Sequence, residues 1–136
     1  MSSKLFRQVE ELAEAMLQAA EADAETQFYA LYVDLKQLCE AASGKKSEHP
    51  VLWETLADFT EENDEAIRFY EKAYLLADAQ KENEYKASIK FSMACRFQEM
   101  EKQNEALEAV EQAGKFASFT EDDELKQDIV ELREQL

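Results

Sequence analysis

Apolar residues recur along almost the whole chain at spacings of three and four positions. In the first segment they are Leu5, Val9, Leu12, Met16 and Ala20, which share one face of a helix. Similar patterns follow, and together they predict seven helices over about residues 4–22, 25–43, 48–61, 63–80, 84–101, 104–117 and 120–136. Because the connections between these segments are short, we expect consecutive helices to pack antiparallel.

Local signals predict where several of these helices begin and end. Gly44 follows the second segment, where a residue in the left-handed conformation commonly ends a helix. Ser47 is predicted to be the N-cap of the third helix, with Pro50 in its first turn. Asn63 is predicted to cap the fourth helix. Thr120, with an acid three residues later, resembles a capping box for the last helix.

One phrase of the sequence occurs twice. Residues 64–73 read Asp-Glu-Ala-Ile-x-x-Tyr-Glu-x-Ala, and residues 104–113 read Asn-Glu-Ala-Leu-x-x-Val-Glu-x-Ala. The offset, from Ala66 to Ala106, is 40 residues. Repetition at a period of roughly 20–50 residues indicates stacked units, each too small to bury its own apolar face. The phrase therefore favours a helical-repeat scaffold that serves interaction.

Composition supports a single all-α domain. The chain has 136 residues, of which 46% are hydrophobic, so it is long and apolar enough to fold around one core. It contains only two glycines and one proline. Because tight turns between strands use these residue types, an all-β fold is disfavoured.

The charge balance narrows the class of partner. A formal net charge of −16, from 31 acids and 15 bases, disfavours nucleic acid and anionic membrane as direct ligands. It favours a basic protein or peptide, although acidity that serves only solubility explains the same numbers. Between Arg7 and Lys36 there are seven acids and no base: Glu10, Glu11, Glu14, Glu21, Asp23, Glu25 and Asp34. This stretch either steers a basic partner or forms an ordinary solvated surface.

Residues 48–117 resemble tetratricopeptide repeats. That family places small residues at the eighth, twentieth and twenty-seventh positions of a helix–turn–helix, and Ala94, Ala106 and Ala113 stand at this spacing. Residues 48–80 are a looser match, because the gap from Ala57 to Ala66 is 9 residues against 12 from Ala94 to Ala106. A generic helical bundle with alanine at its crossings is the alternative.

The resemblance implies a right-handed, tetratricopeptide-like α-solenoid of about three antiparallel hairpins with a capping helix. Its parts would be an N-terminal hairpin, two repeats and the cap, over residues 4–43, 48–80, 84–117 and 120–136. The resemblance also implies a concave groove lined by the first helix of each pair, which would bind a partner. The candidate binding residues are then Arg7, Glu10, Glu14, Glu54, Asp58, Glu61, Ser88, Phe91, Cys95 and Gln98.

Residues that would carry chemistry are scarce. The chain has one histidine, no Gly-rich phosphate loop and two distant cysteines, Cys39 and Cys95, which we expect to be free thiols in a reducing cytoplasm. We therefore predict no catalytic residue, metal or cofactor, and no enzyme. The N-terminus lacks the apolar core of a signal peptide, and no apolar run reaches membrane length, which predicts a cytoplasmic protein without membrane contact.

These observations predict a non-catalytic module, monomeric or weakly homodimeric, that binds a protein or peptide of basic character. Two sharper alternatives remain open. One is a dedicated chaperone or an immunity-type antitoxin for a single basic protein. The other is an acidic mimic of nucleic acid, in which carboxylates imitate phosphates.

Overall fold

The computed structural model describes residues 2–136, and in that range every regular element is an α-helix. In chain order the helices are α1 (Ser3–Glu21), α2 (Glu25–Ala42), α3 (Pro50–Phe59), α4 (Asn63–Ala79), α5 (Asn83–Glu99), α6 (Gln103–Ala117) and α7 (Asp123–Gln135). The predictions of an all-α fold and of seven helices are confirmed. Within the described range, no helix combines the length and the apolar composition needed to cross a membrane.

The helices contact one another in a regular order. Each helix packs against the next one in the chain, and in addition α1 contacts α3, α3 contacts α5, and α5 contacts α7. Among the described residues, α2, α4 and α6 do not bring Cα atoms within 8 Å of one another. The odd-numbered helices therefore form one contiguous row, which we call the odd-helix row.

The core consists of two apolar clusters. The larger one is built by α1 to α4 together with Ile89 and Met93 of α5, and the smaller one joins α5, α6 and α7. Phe97 packs against both clusters and so links them. The alanines of the repeated pattern are all fully buried, at 0% exposure: Ala57, Ala66, Ala73, Ala94, Ala106 and Ala113. Their small side chains allow α3 to lie close to α4, and α5 close to α6.

Two predicted helix boundaries differ from the structure around α3 and α4. His49, not Ser47, is the N-cap of α3, and its Nδ1 accepts a hydrogen bond from the Val51 amide at 3.1 Å. Asn63 is already the first residue of α4, whose N-cap is Glu62. The Asn63 side chain accepts a hydrogen bond from Arg96 of α5. In contrast, the predicted left-handed residue after α2 is confirmed, since Gly44 has a φ of 79°.

The predicted capping box before α7 is also wrong. The helix begins at Asp123, and Asp122 caps it by accepting a hydrogen bond from the Leu125 amide at 3.0 Å. The Thr120 hydroxyl donates to the carbonyl of Ala117 at 2.8 Å instead, so it belongs to the end of α6.

The same turn ends α1, α4 and α5. In each turn a residue other than glycine adopts a positive φ: Asp23 (53°), Lys81 (56°) and Glu101 (59°). The amide of the following residue then donates to the carbonyl five residues earlier, at distances of 2.9, 3.0 and 2.9 Å. These are the hydrogen bonds of a Schellman motif, and they satisfy carbonyls that a helix end would otherwise leave free.

Candidate partner-binding surface

The centre of the odd-helix row is the line along which α3 meets α5. We call this surface the α3–α5 seam and define it by Glu54 and Asp58 of α3 and by Ser88, Ser92 and Arg96 of α5. The α5 residues are four positions apart, so they lie on one face of that helix. Of the five seam residues, only Glu54 is buried, whereas the other four are partly or fully exposed.

Glu54 is the most unusual group of the seam. Only 9% of the residue is exposed, because α3 is surrounded by α1, α2, α4 and α5. Its carboxylate oxygen Oε2 accepts a hydrogen bond from the Ser88 hydroxyl at 2.7 Å. Burial raises the pKa of Glu54 to about 7, against the opposing effect of the Ser88 hydrogen bond. The charge of this buried carboxyl therefore changes close to neutral pH.

Asp58 lies one turn further along α3 and is accessible to solvent. Its carboxylate accepts a hydrogen bond from the hydroxyl of Tyr70 in α4. Its pKa is nevertheless raised, because surrounding protein removes water from the carboxyl more strongly than Tyr70 and Arg96 favour its charge. Asp58 is therefore exposed to solvent, while the hydroxyl of Tyr70 holds its carboxylate in place.

Arg96 joins the end of α3 to α5. Its Nη2 donates to the carbonyls of Ala57 at 3.1 Å and Asp58 at 3.4 Å, and its Nη1 donates to the carbonyl of Glu61 at 3.5 Å. Nη1 also reaches Oδ1 of Asn63 at 3.1 Å. The last carbonyls of a helix lack partners within it, and a guanidinium offers several donors in one plane. Arg96 therefore completes the hydrogen bonding where α3 stops.

Glu61 points away from the seam. Its Oε2 accepts a hydrogen bond at 2.9 Å from the hydroxyl of Tyr29, which lies on α2. The hydrogen bond and the charge of Glu61 together raise the pKa of that tyrosine. Only the backbone carbonyl of Glu61 contacts the seam, because it accepts a hydrogen bond from Arg96.

The candidate residues in the second half of α5 face towards α7. Phe91 and Cys95 are half-buried and pack against the cluster of α5, α6 and α7. Gln98 donates through Nε2 to Oε1 of Gln135 on α7 at 3.3 Å. Burial is the main cause of a raised pKa at the Cys95 thiol, and the carboxylates of Glu99 and Asp128 add to it. These residues continue the odd-helix row beyond the seam.

The three candidate residues of α1, namely Arg7, Glu10 and Glu14, are all exposed. Within the described range, no hydrogen bond or ion pair connects them to α3 or α5. The structure thus brings Glu54, Asp58 and Ser88 together and leaves the α1 residues separate from them.

Sequence reasoning missed Tyr70, Ser92 and Arg96. A signal for two of them was present, since Ser88, Ser92 and Arg96 follow one another at the helical spacing of four. Ser92 acts on Tyr70, whose pKa is raised by burial and by Asp58 while the Ser92 hydrogen bond opposes the shift. No comparable signal pointed to Tyr70, because its partner lies on another helix.

The chemistry available to the molecule is limited. In the part of the chain that the structure describes, no three histidine, cysteine, aspartate or glutamate side chains are grouped to hold a metal ion. Cys39 and Cys95 are free thiols. Burial raises the pKa of Cys39 to about 12, so this thiol stays protonated and a poor nucleophile.

Comparisons of the chain with protein-family models, with curated proteins and with solved structures find no match.

Proposed function

We propose that the protein is a non-catalytic interaction module that binds a basic protein or peptide along the odd-helix row. The observation that carries the proposal is the pair of carboxyl groups at the α3–α5 seam. There an accessible carboxylate, Asp58, lies beside a second carboxyl, Glu54, and both are held by hydrogen bonds from neighbouring helices. A fixed, preformed surface of this kind lowers the ordering cost of binding on the scaffold side.

The proposed architecture is a right-handed, tetratricopeptide-like solenoid in which α7 caps the last helix pair. The contacts of α1 with α3, α3 with α5, and α5 with α7 support it, because the first helices of successive repeats would be neighbours in such a stack. The buried alanines at corresponding places in α3–α4 and α5–α6 support it as well. The odd-helix row would then be the inner surface of the superhelix.

Different segments of the odd-helix row would contact different kinds of side chain on the partner. Asp58 would pair with a lysine or arginine of the partner, and the net charge of −16 would speed the encounter with a basic molecule. Phe91 and Cys95 offer a half-buried apolar surface further along α5, suited to an uncharged side chain. The partner would thus present basic and apolar residues in sequence. A cytoplasmic location is part of this proposal.

The test begins with affinity purification and mass spectrometry, followed by binding measurements with the purified partner. Asp58→Lys should weaken binding by at least about tenfold, since it replaces attraction by repulsion. Glu134→Lys on α7 makes the same change of charge at an exposed site outside the seam and should have little effect. Binding should also weaken as ionic strength rises.

Three results would contradict the proposal. They are a set of acidic partners only, an affinity that does not respond to salt, and equal losses in the two charge-reversal variants. Circular dichroism of each variant establishes that the helices remain folded, so that a loss of binding is assigned to the surface.

A further inference from the structure

A second surface lies at the N-terminal end of the molecule, on the pair α1–α2. Leu12, Leu38 and Ala41 form the apolar part of a groove whose volume is about 580 Å³. Glu11 of α1 and Asp34 of α2 stand on its two walls, and two glutamines complete the lining. All of the lining residues belong to α1 or α2. We call this surface the N-terminal groove.

The two ends of the helix array differ in whether a further helix covers the terminal helix pair. At the C-terminal end, α7 lies against α5 and α6 and buries Ile129 and Leu132 in the cluster that these helices share. At the N-terminal end, Leu12 and Leu38 pack against the larger cluster but are only partly buried, and the groove beside them is lined by α1 and α2 alone. The molecule therefore shows at one end how a helix fits against a helix pair, and presents an open pair at the other.

The charges around the N-terminal groove restrict what can occupy it. Every charged residue between Arg7 and Lys36 is acidic. Among the described residues, neither Glu11 nor Asp34 forms an ion pair within the chain. Uncompensated carboxylates on both walls favour cationic side chains that can pair with each wall while an apolar stripe covers the leucines. A second copy of this chain is disfavoured, because its own net charge is −16.

The shape of the groove favours a helix as the occupant. The residues that line the groove span 8–12 of α1 and 34–41 of α2, a length of about 10 Å, which is enough to accept about two turns of a third helix. Their backbone groups are already hydrogen-bonded within the helices and cannot extend a strand. Recognition therefore depends on side chains that enter from one face of a helix.

We propose that the N-terminal groove binds an amphipathic helix of a partner protein, with leucine-like residues on one face and lysines or arginines along both flanks. This inference goes beyond the proposed function: the N-terminal groove shares α1 with the odd-helix row but no residue with the α3–α5 seam, so the two proposals are tested separately. The two surfaces would allow one molecule to hold two partners, or two parts of one partner.

The test uses a synthetic peptide as the probe. The peptide has four leucines at helical spacing on one face, with lysines on both flanks of the stripe, and the control peptide has glutamate at every lysine position. Fluorescence anisotropy measures the affinity of both for the wild-type protein. The lysine peptide should bind, and the glutamate peptide should bind at least about tenfold more weakly.

Two double variants locate the binding. Glu11→Lys with Asp34→Lys should weaken binding of the lysine peptide by at least about tenfold. Glu124→Lys with Glu131→Lys on α7 changes the net charge equally at exposed positions away from the groove, and should change the affinity by no more than about twofold. Asp58→Lys should also leave it within about twofold, which separates this inference from the function proposed for the seam.

Several outcomes would overturn the inference: no binding of the lysine peptide, equal binding of the two peptides, equal losses in the two double variants, or loss of binding in Asp58→Lys. Sedimentation that shows a dimer abolished by Glu11→Lys with Asp34→Lys would assign the groove to a second copy instead. Amide shifts confined to α1 and α2 on addition of the lysine peptide would support the inference directly.

Discussion

The pairs α3–α4 and α5–α6 both bury alanines at corresponding sequence positions but differ in the length of their first helices. The alanines at corresponding positions are all fully buried, yet α3 has 10 residues whereas α5 has 17. The shorter helix leaves carbonyls free at its end, and Arg96 of the other pair binds them. The comparison indicates that small residues fix how two helices cross, while the length of a helix can vary if a neighbouring side chain satisfies its end.

The two pairs also differ in what they present on the odd-helix row. At an offset of 37 residues, from Glu54 to Phe91, the acids of α3 correspond to the neutral residues of α5. Asp58 corresponds in this way to Cys95. The odd-helix row thus presents carboxyl groups on α3 and a half-buried apolar surface on α5.

The second helices differ at one position for a reason visible in the packing. At an offset of 40 residues, Tyr74 of α4 corresponds to Gly114 of α6. The Tyr74 ring lies under the Lys90 ammonium, with Nζ 4.3 Å from the ring centroid. At Gly114 the guanidinium of Arg133 lies where a side chain would begin, 2.9 Å from the place of a Cβ. The glycine allows α7 to come close.

The largest expected effects come from removing buried side chains, and they test whether the pairs α3–α4 and α5–α6 contribute equally to stability. Leu56 and Met93 are buried residues at corresponding positions, each followed by one of the buried alanines. Leu56→Ala and Met93→Ala should each lower the free energy of unfolding by about 2–5 kcal/mol, because each removes a buried side chain. The exposed Leu75→Ala should change it by less than about 0.5 kcal/mol. Urea unfolding measures all three. A large loss for only one of the buried sites would show that the pairs are not equivalent.

Arg96→Met should reveal how α3 tolerates its short length. The variant leaves the carbonyls of Ala57 and Asp58 without the guanidinium, and we expect a loss of about 1–3 kcal/mol in the free energy of unfolding. Hydrogen exchange should speed up at the Thr60 amide, which closes the last turn of α3. Arg68→Met, at an exposed position on α4, is the matched control. Unchanged exchange near Thr60 would contradict the role given to Arg96.

Glu54→Gln tests the difference in charge between α3 and α5, because it replaces the buried acid of α3 by a neutral residue. Because the pKa of Glu54 is about 7 in the fold and about 4.3 when unfolded, the folded state binds the proton more tightly. The stabilisation from the neutral carboxyl is complete below about pH 4.3 and is lost as the pH rises to about 7. Glutamine, which stays neutral, should therefore stabilise the protein at pH 8 by on the order of 1–2 kcal/mol and have little effect at pH 4.

The check on Glu54 is urea unfolding of the wild type and the variant at both pH values. Glu108→Gln, an exposed change on α6, provides the control for lost charge. A gain in stability at pH 8 that is no larger for Glu54→Gln than for Glu108→Gln would contradict a special role for the buried carboxyl.

Gly114→Ala should have the smallest effect. Alanine favours the helix by about 1 kcal/mol relative to glycine, but its Cβ would displace the Arg133 guanidinium. Because the end of that side chain is flexible, we expect a net change between zero and a gain of about 1 kcal/mol, measured by thermal unfolding. A loss above about 1 kcal/mol would mean that α7 itself is displaced.

The sequence was most informative where a periodic pattern determines local structure. Helix number and the burial of Ala66 and Ala106 follow from such patterns, because a core-facing position repeats with the helical period. The predicted capping roles of Asn63 and Thr120 are wrong, because these side chains form hydrogen bonds with Arg96 and with the carbonyl of Ala117 instead. The role of Arg96 could not be predicted, since most of its acceptors are backbone carbonyls at and beyond the end of α3, which no residue type reveals.

The three turns formed by Asp23, Lys81 and Glu101 are sites at which a substitution could change stability. Side chains with a Cβ are strained in the left-handed conformation that these residues adopt, and glycine is not. Replacing all three by glycine would release that strain at sites outside both the seam and the N-terminal groove. Glycine also gives the unfolded chain more freedom, so a rise in the melting temperature of the triple variant would show that the released strain is the larger effect.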